Sequence, residues 1–200
     1  MPGRVYTELL EAANGQYGYV TADDARAEGV DPAFLRVMAH RGLLERTARG
    51  VYRFPIVPAT ALDQYMEAVL WPRTKAVLSH ETALDLHDLC DVNPAQIHVT
   101  VPAGYRLRRD VPPMFQLHER NLDEADITMH EGIPIVTVPR AILDGIGANI
   151  GNHLISQALK SARARGLITP QQMREIALTR RQRTRDEMAA RQEQPHDALA

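Results

Sequence analysis

Histidines, carboxylates and a single cysteine are the residues of this 200-residue chain whose types suit chemistry, and their spacing decides what chemistry that is. His80-Glu81 begins like HExxH, in which two histidines one helical turn apart hold zinc and the glutamate acts as base. The second histidine is missing, and Asp85 stands near its place. His80 and His87 are seven residues apart, on one helix face but two turns distant, too far to share an ion without other ligands. Asp85, His87, Asp88 and Asp91 cluster in sequence as a solvated helix end does. Cys90 has His87 nearby but no third group, which fits a buried structural thiol better than a nucleophile. Ser79 and His80 are adjacent, yet a nucleophile and its base are assembled in space, not in sequence. Gly145, Gly147 and Gly151 lack the GxGxxG spacing, and no phosphate-loop lysine follows them, so they read as a helix-ending turn. His98 alternates outward on a strand and reads as a surface residue or hydrogen-bond partner. The expectation is no catalytic constellation, no metal site and no cofactor; the chain does not read as an enzyme.

The arginines are more informative. Arg36 and Arg41 lie on one helix, Arg46, Arg49 and Arg53 follow in a short hairpin, and Arg106, Arg108 and Arg109 sit in a proline-rich connection. Arg180, Arg181, Arg183 and Arg185 form a run near the C-terminus. The connection suits a phosphate or acidic-partner contact as well as it suits a solvated loop. The C-terminal run loses apolar periodicity after Leu178 and reads as a solvated extension.

The whole chain has 23 basic against 25 acidic residues, a formal charge of -2, which argues against a nonspecific polyanion binder. The charge is uneven: residues 1–58 hold 7 basic and 7 acidic side chains, residues 59–150 hold 7 and 13, and residues 151–200 hold 9 and 5. Nucleic-acid binding by the first segment must then rest on a few positioned arginines. No apolar run approaches the roughly 18–20 residues of a membrane helix. One cysteine permits no internal disulfide, and the expected location is the cytoplasm.

The elements that must position those arginines are legible. Val5, Tyr6, Leu9 and Leu10 recur at helical spacing up to Asn14-Gly15. Thr21 reads as an N-cap, with Asp23 and Asp24 in the favoured first turn of a helix running to Glu28 and stopping at Gly29. Asp31 and Pro32 start another helix that reaches Arg41 and meets Gly42. Leu43 to Arg46 and Val51 to Phe54 are strand-like, so a hairpin follows the second of two tightly linked helices. This is the order of a winged helix-turn-helix. On the last helix Leu35, Met38 and Ala39 should face the core, while Ala33, Arg36, Val37, His40 and Arg41 share the opposite arc. Such a small or basic face suits a helix in a major groove, with Arg46, Arg49 and Arg53 carrying charge on the wing. The candidate DNA-binding residues are therefore Arg36, His40, Arg41, Arg46, Arg49 and Arg53. The other reading of this face is a solvated surface on a protein-binding module.

Gly18 to Ala22, Ala25 to Val30, Leu35, Arg41 to Arg46 and Ala48 to Arg53 together resemble the N-terminal winged helix of AbiEi-family antitoxins of type IV toxin–antitoxin systems. Beyond Pro55 and Pro58 a mixed pattern begins. Helices are expected over Leu62–Leu70, Ser79–Asp88, Pro139–Ile146, Asn152–Gly166 and from Thr169, with strands at Ala76–Leu78, Ile97–Val101, Met114–Leu117, Ile127–Met129 and Ile133–Val136. Leu78 to Leu84, Asp91-Val92, Pro94, Ile97 to Pro102, and Gly132 to Thr137 with Leu143-Asp144 are similar to the same family's C-terminal domain.

The fold class expected is α+β: a winged helix-turn-helix (residues 1–57), a larger mixed domain with helices packed on a small sheet (58–178), and a charged extension (179–200). The resemblance implies an antitoxin that binds double-stranded DNA at promoter inverted repeats and represses its own operon. If two copies form a dimer on neighbouring half-sites, each head needs only modest affinity. It also implies neutralisation of a nucleotidyltransferase-like toxin, directly or indirectly, and no membrane partner. Two other readings share these elements. A ligand-sensing winged-helix regulator would reveal itself through a small molecule that shifts operator affinity. A metal-dependent nuclease-like enzyme would lose activity on changing Asp85 or Asp88.

Overall fold

The computed structural model describes residues 3–107 and 109–192. They form two compact units, one drawn from residues 1–78 and 96–135, the other from 79–95 and 136–200.

The first unit opens with α1 (Arg4–Asn14), which buries Leu9 and Ala13. Strand β1 (Tyr19–Thr21), α2 (Ala22–Ala27), α3 (Ala33–His40), β2 (Glu45–Ala48) and β3 (Val51–Arg53) follow. The strands make an antiparallel sheet in the order β1-β3-β2, with Val20 and Arg46 both opposite Tyr52. The sequence pattern gives no sign of β1, because three residues, all buried, are too few to show a period. Leu9, Val20, Leu35, Met38 and Phe54 meet in one core, where the Tyr6 ring stands edge-on to Phe54 at 5.3 Å. Fully burying each such side chain is worth about 1.5–3 kcal/mol.

Helix α4 (Asp63–Leu70) packs on β1 and on a second sheet of this unit, through β4 (Val77–Leu78) and β5 (Ile97–Val101). That sheet runs β6-β5-β4-β8-β7, with β6 (Phe115–Glu119), β7 (Ile127–His130) and β8 (Ile133–Val136). Strand β5 pairs in parallel with β6 and antiparallel with β4, and β4 pairs in parallel with β8. The expected alternation of β5 stops short: Thr100 is as buried as Val99. An interior strand covered on both faces has no solvent side to alternate toward.

The second unit is helical: α5 (His80–Leu86), α6 (Val138–Ala148), α7 (Asn152–Ala164) and α8 (Pro170–Gln192). Helix α6 packs against the other three. Its Arg140 pairs with the buried Asp144 one turn on, at 2.7 Å. The glycines at 145, 147 and 151 lie in α6 and the turn to α7, as expected, with Asn149 left-handed at the cap. Thr169 and Gln172 exchange hydrogen bonds as the capping box that starts α8. Helix α8 continues through the arginine run, and Arg180 donates to Asn152 and Ser156 of α7. Residues 193–200 of the charged extension lie outside the described residues. No described helix is long and apolar enough to cross a membrane.

The architecture is α+β, with a winged helix-turn-helix at its head and helices and a small sheet in the remainder.

Candidate nucleic-acid interface

Local capping sets the angle between α2 and α3. The Thr21 hydroxyl accepts from the amides of Asp23 and Asp24, and the Asp24 carboxylate accepts from the Thr21 amide at 2.7 Å. Gly29, at φ 71°, makes the left-handed turn that ends α2. Asp31 accepts from the Ala33 amide at 2.8 Å and so caps α3 from just before Pro32. Helix α3 buries Leu35 and Met38 and half-buries Ala39. Phe34, Arg36, Val37, His40 and Arg41 are exposed, while Ala33 is half-buried. The outward face therefore carries a phenyl ring and a valine beside its cations, groups able to contact thymine methyls.

In the wing, β2 and β3 shift register between Arg46 and Ala48, and the turn between them closes on Gly50 at φ 77°. Arg46 and Arg49 are exposed. Arg36 from α3 and these two wing arginines line one open pocket of about 190 Å³ beside Gly50 and Tyr52. A fourth arginine joins them: Arg73, from just beyond α4, lines the same pocket. No carboxylate lines it, and among the described residues none of the four arginines is ion-paired. Such a set can hold an anionic oxygen from several sides. Sequence reasoning missed Arg73 because 23 residues and a helix separate it from Gly50, and no period or motif spans that gap.

Arg53 is placed differently. Its guanidinium turns away from the exposed wing to Asp63 of α4, with Nη2 2.7 Å from the carboxylate, and donates to the Val57 carbonyl at 2.9 Å. Asp63 also accepts from the Thr60 amide and hydroxyl, both at 2.8 Å. Both side chains are largely buried, so Arg53 joins β3 to α4 structurally. Arg53 also lies over the Tyr19 ring, whose phenol is pushed well up, first by burial and then by Glu67 and Asp63.

The proline-rich connection divides in the same way. Arg109 lies over the Trp71 indole, 4.1 Å from the ring centre, and donates to the Trp71 carbonyl. Tyr105 donates to the Pro72 carbonyl at 2.8 Å. Burial holds the Arg109 guanidinium below its ordinary value; Tyr105 opposes that shift, and Arg73 and Arg49 add to it. Arg106 is exposed, and Arg108 lies outside the described residues.

The other residues singled out by type make contacts of their own. Ser79 Oγ and His80 Nδ1 are 2.9 Å apart, with both side chains buried. His87 Nε2 lies 2.8 Å from the Val136 carbonyl, and its N–H donates there. Asp91 accepts from Gln157 at 2.6 Å. Asp85 is exposed, its carboxyl raised by partial burial and by Asp88. Burial pushes the Cys90 thiol up, against a lowering backbone hydrogen bond at Val92, so it is not activated as a thiolate. His98 does find a hydrogen-bond partner: its Nδ1 lies 3.1 Å from His118 Nε2 on β6, and the two rings stack.

No curated protein matches the chain. A solved structure, that of the RV2827C protein from Mycobacterium tuberculosis, is similar at 15% identity and a TM-score of 0.46, covering 72% of this chain. The chain corresponds to 60% of that protein's length. The stretches of the second segment that resemble an antitoxin domain lie beyond residues 8–55, the span of the family match. Residues 8–55, from within α1 to just past β3, match the family of AbiEi antitoxin transcriptional regulators.

Proposed function

We propose that the chain is a cytoplasmic DNA-binding antitoxin that represses its own operon and counters a nucleotidyltransferase-like toxin. The observation that carries this reading is the cluster of unpaired arginines shared by α3 and the wing, on the segment that matches the regulator family. Helix α3 enters the major groove, where Arg36, His40 and Arg41 face base edges and phosphates. Arg46 and Arg49 grip the adjoining backbone from the wing. Two copies on inverted repeats raise each other's effective concentration, so each head needs only modest affinity. Neutralising the toxin falls to residues 59–178. The role is regulatory rather than enzymatic.

Gel shifts on a duplex from the chain's own promoter, together with protection of cells expressing the neighbouring toxin gene, test both halves. The expected outcome is a specific shift by the full-length protein, and protection that survives Arg36→Ala but not loss of residues 59–178. Protection by residues 1–57 alone would contradict this division of labour.

A further inference from the structure

The backbone of Arg73 is left-handed, at φ 58°, immediately past the C-terminal end of α4. That position is comfortable for glycine or asparagine and strained for a long side chain. An arginine there has a cost that glycine would avoid, so the gain lies in where its side chain goes. It goes to the wing. A β-carbon on Gly50 would stand 3.1 Å from Arg73 Nε and 3.2 Å from Cζ, so the guanidinium lies against the bare face of the wing turn. There it meets Arg36, Arg46 and Arg49, four like charges with no carboxylate among the described residues that line the pocket. The loop carrying Arg73 is held from behind by Arg109 on Trp71 and by Tyr105 on Pro72. Strain, a rigid support and uncompensated charge coincide at one residue outside the segment that matches the regulator family.

We propose that this pocket seats a single backbone phosphate of bound DNA, and that Arg73 is the positioning cation that completes it from outside the winged helix. The proposal rests on the DNA-binding reading above and deepens it. Arg36 reaches the phosphate from α3, Arg46 and Arg49 from the wing, and Arg73 from the flank of the wing turn. The contact carries no base information, so it fixes register and adds equally to every sequence.

Arg73→Gly tests this cleanly, because it removes the guanidinium while relaxing the backbone. Binding of the full-length protein to its promoter duplex and to an unrelated duplex of equal length is measured by anisotropy across a potassium chloride series. The expected result is a melting temperature equal to or above wild type, with affinity lowered about tenfold and by the same factor on both duplexes. The log–log salt slope changes little, because three arginines still neutralise the one phosphate. Arg73→Lys, which keeps the charge, should recover most of the affinity. Unchanged affinity of Arg73→Gly for both duplexes, with wild type binding both, overturns the pocket and leaves the DNA-binding reading standing. A lowered melting temperature would make Arg73 a structural residue and overturn the proposal as well. Failure of the wild type to bind either duplex ends both readings.

Discussion

Arg46 and Arg53 stand on neighbouring strands of one three-stranded sheet, yet their surroundings differ. Arg53 sits on the central strand, where the buried Asp63 carboxylate 2.7 Å away fixes it between β3 and α4. Arg46 sits on the outer face with Arg36, Arg49 and Arg73, where no carboxylate lines the pocket. A buried pair leaves a costly lone charge when one partner is removed. An exposed cation without a partner adds little to folding and is available to a ligand. Residue type is identical in the two regions, and the nearest acid separates them.

The sharpest way to break this comparison is Arg53→Ala. It strands Asp63 in a largely buried site and should lower stability by about 3 kcal/mol in chemical denaturation; a loss under about 1 kcal/mol would remove the distinction between inner and outer arginines. Arg36→Ala should do the reverse, leaving the melting temperature unchanged while costing about 1–3 kcal/mol of promoter affinity in gel shifts. Thr21→Ala removes the cap on α2 and leaves every outer charge in place. It should cost about 1 kcal/mol of stability, and the same salt slope on DNA would show that the two regions are separable. The smallest effect belongs to the tail: truncation before Arg180 loses exposed hydrogen bonds to α7, worth less than about 1 kcal/mol, and leaves promoter affinity and salt slope as they were. A flattened slope there would move part of the DNA contact to α8.

The helices were legible because their ends are written in local chemistry. Thr21, Asp31 and Thr169 cap the elements that their types and spacing announce. The faces of α3 followed from its period, since Leu35 and Met38 point inward and Arg36, Val37 and His40 outward. Tertiary context hid the rest. Strand β1 is too short to show a pattern, and Thr100 is polar yet buried in an interior strand. The arginines of the wing look equivalent until Asp63, ten residues beyond Arg53, is brought against one of them. Arg73 joined the pocket only because α4 returns the chain to Gly50.

Backbone amide shifts of the full-length protein, followed as its promoter duplex is added, test the central claim most directly. The account predicts that the large changes fall on residues 33–41 of α3 and its end, on residues 45–50 of the wing and on Arg73, with β3 around Arg53 nearly silent. Changes centred on α6–α8, or equal changes at Arg53 and Arg46, would contradict it.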